Sequence, residues 1–190
     1  MNSGSIMIVG VGGQGSLLAS RILGTLLLEE GYDVKVSEVH GMSQRGGSVV
    51  TYVKYGDRVY SPIITKGEAD CIVSFELLEA ARWLPSLKAG GTIITNTQQI
   101  DPMPVVNGVA QYPADILSKL EAHGAQVHAL DCLSLAEEAG SAKATNVVLL
   151  GRLSTLWTYP EEKWMQALER CVPERFLEIN RRAFALGRNK

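Results

Sequence analysis

Two stretches of the sequence gather residue types that can bind or move charge. The first, Gly10-Val11-Gly12-Gly13-Gln14-Gly15, fits the pattern G-x-G-x-x-G and stands between an apolar run and a helix-forming segment. In that setting the glycines have separate duties. One allows a tight turn, one lets the backbone approach an anion, and one lets the following helix pack on the preceding strand. Main-chain N–H groups at the helix start then favour a phosphate or carboxylate. The Gln14 amide, which can donate and accept, sits in the mouth of the loop. The second stretch, His40-Gly41-Met42-Ser43-Gln44-Arg45-Gly46-Gly47-Ser48, sets an imidazole, a hydroxyl, an amide and a guanidinium between glycines. Arg45 could clamp a carboxylate or phosphate through two parallel hydrogen bonds, and His40 could titrate near neutral pH. His40 and Arg45 are therefore the catalytic candidates. Gly10, Gly12, Gly13, Gln14, Gly15, Ser43, Gln44, Gly46 and Gly47 are the candidates for holding a cofactor. Plainer readings stand beside these: a tight strand-to-helix turn, and a solvated loop in which Arg45 pairs with Glu38.

Other chemistry-bearing residues are scattered. Cys71, Cys132 and Cys171 lack the CxxC spacing of a zinc site, and three cysteines cannot supply the four thiolates of an iron–sulfur cluster. They read as buried reduced thiols, which suggests a reducing compartment. His123 and His128 read as surface or satisfied histidines rather than metal ligands, so no metal site is expected. Ser16 reads as a helix-start residue, with no His–Asp pair to make it a nucleophile. Trp83, Trp157 and Trp164 read as packing residues, and the apolar C-terminal helices as the best surface for docking a partner.

The elements that must position both loops follow an α/β rhythm. Ile6 to Val9 reads as a strand buried on both faces. Leu17, Leu18, Ile22, Leu26 and Leu27 recur at helical spacing from Ser16 to about Glu30, with Gly31 as the C-terminal cap. Tyr32 to Val39 is a second strand, giving a right-handed parallel βαβ unit. Ser48 to Lys54 and Arg58 to Ile64 flank Tyr55-Gly56-Asp57-Arg58, which reads as a hairpin turn. Cys71 to Phe75, Gly91 to Thr95 and Ala125 to Leu130 are further strands. Glu76 to Leu87 is helical and broken at Pro85; Asp115 to His123 is a short helix; Gln98 to Pro113 is extended or looped. Helices follow over Asn146 to Trp157, from Pro160 through Cys171, and from Phe176 to Leu186. The expectation is one doubly wound, Rossmann-like α/β domain with a mostly parallel sheet and a C-terminal helical appendage.

Composition agrees with such a domain. The chain has 190 residues, 46% of them hydrophobic and 20% charged, with a formal net charge of −2. That excludes a disordered tail, a collagen-like repeat and a small disulfide scaffold. A near-neutral balance offers no bulk electrostatic reason to bind nucleic acid or an anionic membrane. The segment Met1 to Ser5 is uncharged, unlike the start of a secretory signal. Leu17 to Leu28, the longest apolar helix candidate, carries Arg21 and is too short to span a bilayer. A cytoplasmic protein is the expectation.

Taken together, Val11 to Gly15 and Glu38-Val39-His40-Gly41-Met42-Ser43-Gln44-Arg45-Gly46-Gly47-Ser48-Val49 resemble the gamma-type subunit or domain of 2-oxoacid:ferredoxin oxidoreductases. The His-Gly-Met-Ser-Gln-Arg-Gly-Gly wording is that of the small subunits in the indolepyruvate branch. The resemblance continues through Tyr60-Ser61-Pro62, Gly67 to Asp70, Leu87 to Thr92 and Asn146 to Gly151. It implies one gamma-type domain over residues 1–190, with a core over about 5–155 and C-terminal helices over about 146–187. It further implies a complex, inactive without its partner, that oxidatively decarboxylates arylpyruvates with coenzyme A and passes electrons to ferredoxin. Thiamine diphosphate and iron–sulfur clusters would reside in a large alpha subunit. On this chain, the Gly10–Gly15 and His40–Gly47 loops would complete the active-site cleft and admit coenzyme A. Three other readings stay open. One is a gamma subunit of a pyruvate- or 2-oxoglutarate-type sibling. Another is a free-standing NAD(P)-dependent oxidoreductase using Gly10, Gly12, Gly15 and Glu38, an acid placed to hold ribose hydroxyls. The last is an assembly subunit whose loops bind nothing.

Overall fold

A computed structural model describes residues 3–38 and 47–190. The first apolar run lies inside a strand, β1 (Gly4–Val11), which alternates its side chains between two cores. Ile6 and Ile8 face one core and Met7 and Val9 the other, so both faces are dry and the sequence shows no polar alternation. Helix α1 (Ser16–Glu29) follows the glycine loop. It ends as expected at Gly31, which adopts φ +87°. There the Tyr32 N–H reaches the Leu27 carbonyl and the Gly31 N–H the Leu28 carbonyl, both at 3.1 Å, a Schellman closure.

Strand β2 (Asp33–Glu38) does run parallel to β1, but β3 (Ser48–Gly56) lies between them and is antiparallel to both. This placement overturns the expected hairpin. Both edges of β3 are already paired, so Arg58 to Ile64 has no strand to join and runs as irregular chain. Beyond β1 come β4 (Ala69–Ser74), helix α2 (Leu77–Trp83), β5 (Leu87–Asn96), helices α3 (Met103–Val106) and α4 (Ile116–Ala122), and β6 (Gln126–Leu130). The strands form one six-stranded sheet in the order β2-β3-β1-β4-β5-β6, parallel from β1 to β6. Pro85 ends α2 in a single 3-10 turn, as its missing N–H requires. The short α3 breaks the expectation of a wholly irregular stretch between Gln98 and Pro113.

Four more helices complete the chain: α5 (Cys132–Ala139), α6 (Thr145–Ser154), α7 (Glu161–Cys171) and α8 (Glu174–Arg188). Together with α1 they cover one face of the sheet, while α2 and α4 cover the other. The C-terminal helices share the main core with the sheet. Trp164, Ala167 and Leu168 of α7 and Phe184 of α8 are buried in it, whereas Phe176 at the start of α8 stays exposed. Helices α6 and α8 touch through glycines. A Cβ on Gly187 would stand 1.9 Å from the Val148 carbonyl oxygen, and one on Gly151 2.1 Å from that of Phe184. Ion pairs from Lys163 to Glu30 and from Arg170 to Glu29 fasten α7 to the end of α1.

Candidate functional site

The parallel strands all end on one edge of the sheet, the side on which doubly wound folds build ligand crevices. There a cleft of about 590 Å³ opens between the glycine loop, the Gln98–Ile100 segment after β5, Leu133 on α5, and Lys143 with Thr145 before and at the start of α6. That volume suits a small organic ligand. Another hollow, about 500 Å³, lies among Lys54, Arg58, Glu68, Asp70 and Lys88 at the opposite end of the strands. Its Lys88–Asp70 and Lys54–Glu68 pairs, at 2.5 and 3.5 Å, largely neutralise one another, and no sequence candidate lines it.

The glycines of the first loop answer to two different constraints. Gly10 and Gly15 are required by the chain itself. A Cβ on Gly10 would lie 2.8 Å from Gln14 Oε1, and one on Gly15 2.6 Å from Asn146 Nδ2. Gly13 differs: its φ of +100° favours glycine, but the space beside it is open, as a position facing a ligand should be. Helix α1 starts at Ser16 with Gly15 as N-cap and no side-chain cap. The N–H groups of Ser16, Leu17 and Leu18 have no backbone acceptor among the described residues, which leaves donors and the positive helix end toward the cleft mouth. Lys143 adds an exposed ammonium on the facing wall. Donors, dipole and ammonium together suit an anion.

Gln14 is not free in the loop mouth. Its Oε1 accepts the Val11 N–H at 2.7 Å, and its Nε2 donates to the Phe75 carbonyl at 3.0 Å. The side chain thus ties the loop to the end of β4. Gly12 is tied the other way, donating its N–H to the Gly47 carbonyl at 2.9 Å, so the glycine loop touches the end of the second loop. Of that second loop, His40, Ser43, Gln44, Arg45 and Gly46 lie outside the described residues. Gly47 and Ser48 are placed, and the Ser48 hydroxyl donates to buried Glu79, whose other oxygen accepts from Arg82 at 3.0 Å.

Glu38 ends β2 and accepts from Ser20 Oγ at 3.0 Å. Because β3 separates β2 from β1, this acid is removed from the glycine loop by a strand's width. A dinucleotide held as in nicotinamide enzymes needs the first two strands adjacent. The sheet order therefore disfavours the NAD(P) reading.

Several residues that brace the cleft are not among the candidate site residues read from the sequence. Asn146, on buried α6, donates to the Gly15 carbonyl at 3.0 Å and holds the loop against the opposite wall. Asn96, fully buried at the end of β5, donates to the Phe75 carbonyl at 3.2 Å and accepts from the Cys132 N–H at 3.1 Å. Glu76 caps α2 through the Glu79 N–H at 2.8 Å and accepts from the Ile100 N–H at 3.1 Å and the Tyr112 hydroxyl at 2.5 Å. Burial, and then the hydrogen bond to Glu76, raise the Tyr112 pKa, so its hydroxyl stays a donor. Only the Glu76 cap carries a recognisable local pattern, an acid accepting an N–H three residues on.

No cysteine side chain lines the cleft, although the Cys132 N–H anchors Asn96 behind it. Burial pushes Cys71 up to about 12 and raises Cys132 as well, whereas Cys171 is partly exposed beside Thr25. Among the described residues no group of three His, Cys, Asp or Glu side chains converges on a point that could hold a metal ion. Three thiols, two of them buried apart in the core, do not fit an iron–sulfur cluster. No helix among the described residues is long and apolar enough to cross a membrane.

Comparison with known proteins bears on the family and the fold. Residues 5–190 match the family model for pyruvate ferredoxin/flavodoxin oxidoreductase. The chain is 45% identical to indolepyruvate oxidoreductase subunit IorB of Thermococcus kodakarensis, over 98% of this chain and 95% of that one. Its fold is similar to the keto/oxoacid ferredoxin oxidoreductase gamma subunit of Geobacter sulfurreducens, with a TM-score of 0.71 at 24% identity, covering 97% of this chain and 95% of that one. It is also similar to part of the 2-oxoglutarate:ferredoxin oxidoreductase of Magnetococcus marinus, a structure with 2-oxoglutarate, coenzyme A and succinyl-CoA bound. There the TM-score is 0.75 at 19% identity, and the match covers 100% of this chain and 31% of that one. With a family match over residues 5–190 and a relative 45% identical along 98% of its length, the chain belongs to the pyruvate ferredoxin/flavodoxin oxidoreductase family.

Proposed function

We propose that this chain is the small subunit of an indolepyruvate-type 2-oxoacid:ferredoxin oxidoreductase, located in the cytoplasm and inactive without its large partner. The observation that carries the reading is the near-complete match to indolepyruvate oxidoreductase small subunits, 45% identical along 98% of the chain. Residues 1–190 form one gamma-type domain in this reading. Thiamine diphosphate and the iron–sulfur clusters belong to the large subunit, which supplies the decarboxylation and the electron path to ferredoxin.

This chain's own contribution is binding and positioning. The uncapped start of α1, the open space at Gly13 and the Lys143 ammonium support a role in receiving an anionic phosphate of coenzyme A. Gly47, the last glycine of the second loop, stands next to it through the Gly12–Gly47 hydrogen bond of 2.9 Å, and His40, Ser43, Gln44, Arg45 and Gly46 precede it in the sequence. Arg45 would clamp a substrate carboxylate or phosphate, and His40 would hold or release a proton near neutral pH. Isolation of this chain from its native cells without oxygen, followed by assay of the bound fraction for iron and thiamine diphosphate, tests the proposal. A larger chain carrying both supports it. Recovery of the chain alone, with neither, contradicts it.

A further inference from the structure

One wall of the cleft has its side-chain orientation fixed from outside the cleft. Gln14 Oε1 accepts the Val11 N–H at 2.7 Å, which turns Gln14 Nε2 toward the Phe75 carbonyl and toward Gln98. Asn96 Oδ1 accepts the N–H groups of Cys132 and Gln98, at 3.1 and 3.4 Å, which turns Asn96 Nδ2 the same way. Backbone N–H groups only donate, so neither amide can be reversed without losing its anchor. Both NH2 groups then meet the Gln98 side chain, at 3.5 and 3.3 Å, and only an oxygen can stand there. Gln98 Oε1 is thereby committed to the protein. Its Nε2 has no partner among the described residues, and Gln98 lines the cleft beside Gly13, Gly15 and Lys143.

We propose that Gln98 is a specificity-determining residue of the cleft, presenting a fixed NH2 donor to an acceptor oxygen or nitrogen on the bound ligand. A freely rotating glutamine could turn either end to a ligand. This one can only donate, so the wall recognises an acceptor and turns away a donor. With Lys143 lining the same cleft, the selected class is an anion rich in acceptors, such as the phosphate- and amide-bearing acyl carrier. The proposal rests on the reading that coenzyme A enters this cleft.

The test uses the enzyme assembled with its large subunit, kept free of oxygen, with coenzyme A as the titrant. Gln98→Glu keeps the inward acceptor and replaces the outward donor with a charged acceptor. Gln98→Met removes the donor without adding charge. Both should raise the Kd and the KM for coenzyme A, the glutamate variant by tenfold or more and the methionine variant about threefold to tenfold, in line with loss of one ordinary hydrogen bond. The KM for the 2-oxoacid and kcat at saturating coenzyme A should hold, a split that a merely structural residue would not give. Lys143→Gln serves as the independent probe of the cleft. If Lys143→Gln weakens coenzyme A binding and Gln98→Met does not, Gln98 is scaffold only and the proposal falls while the cleft keeps its ligand. If neither variant changes coenzyme A binding, the ligand lies elsewhere and both readings fall. Should Gln98→Glu fail to assemble, the Gln98→Met and Lys143→Gln pair still decides.

Discussion

Gly13 and Gly15, two positions apart in one loop, should respond very differently to the same methyl group. Both have positive φ, +100° and +86°, so alanine at either costs about 1–2 kcal/mol in backbone strain. At Gly13 nothing within 4 Å meets the new methyl, and strain is the whole penalty. At Gly15 the methyl would stand 2.6 Å from Asn146 Nδ2. That amide must then leave its 3.0 Å hydrogen bond to the Gly15 carbonyl, and a largely buried donor loses its partner. The added cost is roughly 1–3 kcal/mol, giving about 2–5 kcal/mol in all for Gly15→Ala. The same contact predicts a coupling. Asn146→Ala removes the obstacle, so the double variant should be more stable than the sum of the singles implies by about 1–3 kcal/mol. Urea unfolding of the purified chain, followed by far-UV circular dichroism, measures all four free energies. Equal costs at the two glycines within about 0.5 kcal/mol, or strict additivity with Asn146→Ala, would refute the argument. In the assembled enzyme the order should reverse for ligand binding: Gly13→Ala, whose methyl enters the cleft, should raise the KM for coenzyme A.

Three further outcomes follow from particular residues. Arg45→Ala should lower turnover of the assembled enzyme by about 10- to 100-fold, the worth of a charge-assisted clamp, without shifting the chain's unfolding midpoint; unchanged kinetics would remove Arg45 from the site. A maleimide reagent at neutral pH should label Cys171 in the native chain and reach Cys71 and Cys132 only after denaturation, because burial pushes Cys71 up to about 12 and raises Cys132 too. Mass spectrometry after brief labelling reads this directly, and rapid native labelling of Cys71 would contradict the buried core strand. His128 accepts from Arg152 at 2.9 Å, and burial, followed by the Arg152 charge, lowers its pKa below 6.5. The unfolded chain therefore takes up that proton first. Stability should be full above pH 6.5 and fall as the pH drops below it toward the folded-state value. Unfolding midpoints from pH 8 to 5 should lose that component in His128→Gln; an unchanged slope would show that other groups carry it.

Local signals in the sequence carried the parts of the fold that are local. The βα turn was legible because Gly10 to Gly15 and the helical spacing of Leu18, Ile22 and Leu26 each need only their neighbours. The Gly31 cap was legible for the same reason. The place of β3 was not, since a strand's neighbours are settled by pairing with residues far along the chain. That is why an apparent hairpin at Tyr55 to Arg58 became the end of an interior strand. Helix α5 escaped notice although Asp131, accepting the Ser134 N–H at 3.0 Å, gives it an ordinary cap, because its apolar stripe is short. At the site, the glycines and Gln14 could be picked out by type, but their reasons could not. Gly15 is glycine because of Asn146, and Gln14 faces inward because of Phe75, contacts that only the folded chain creates. Asn96 and Gln98 carry no motif at all, and Asn146 only opens a stretch of the resemblance; their importance lies in which elements they join.

Anaerobic reconstitution of this chain with its large subunit, assayed for coenzyme A-dependent reduction of ferredoxin by indolepyruvate and by pyruvate, tests the central claim most directly. The account predicts activity only when both subunits are present, with kcat/KM higher for indolepyruvate than for pyruvate. Full activity of the large subunit alone, or a preference for pyruvate in the assembled pair, would contradict it.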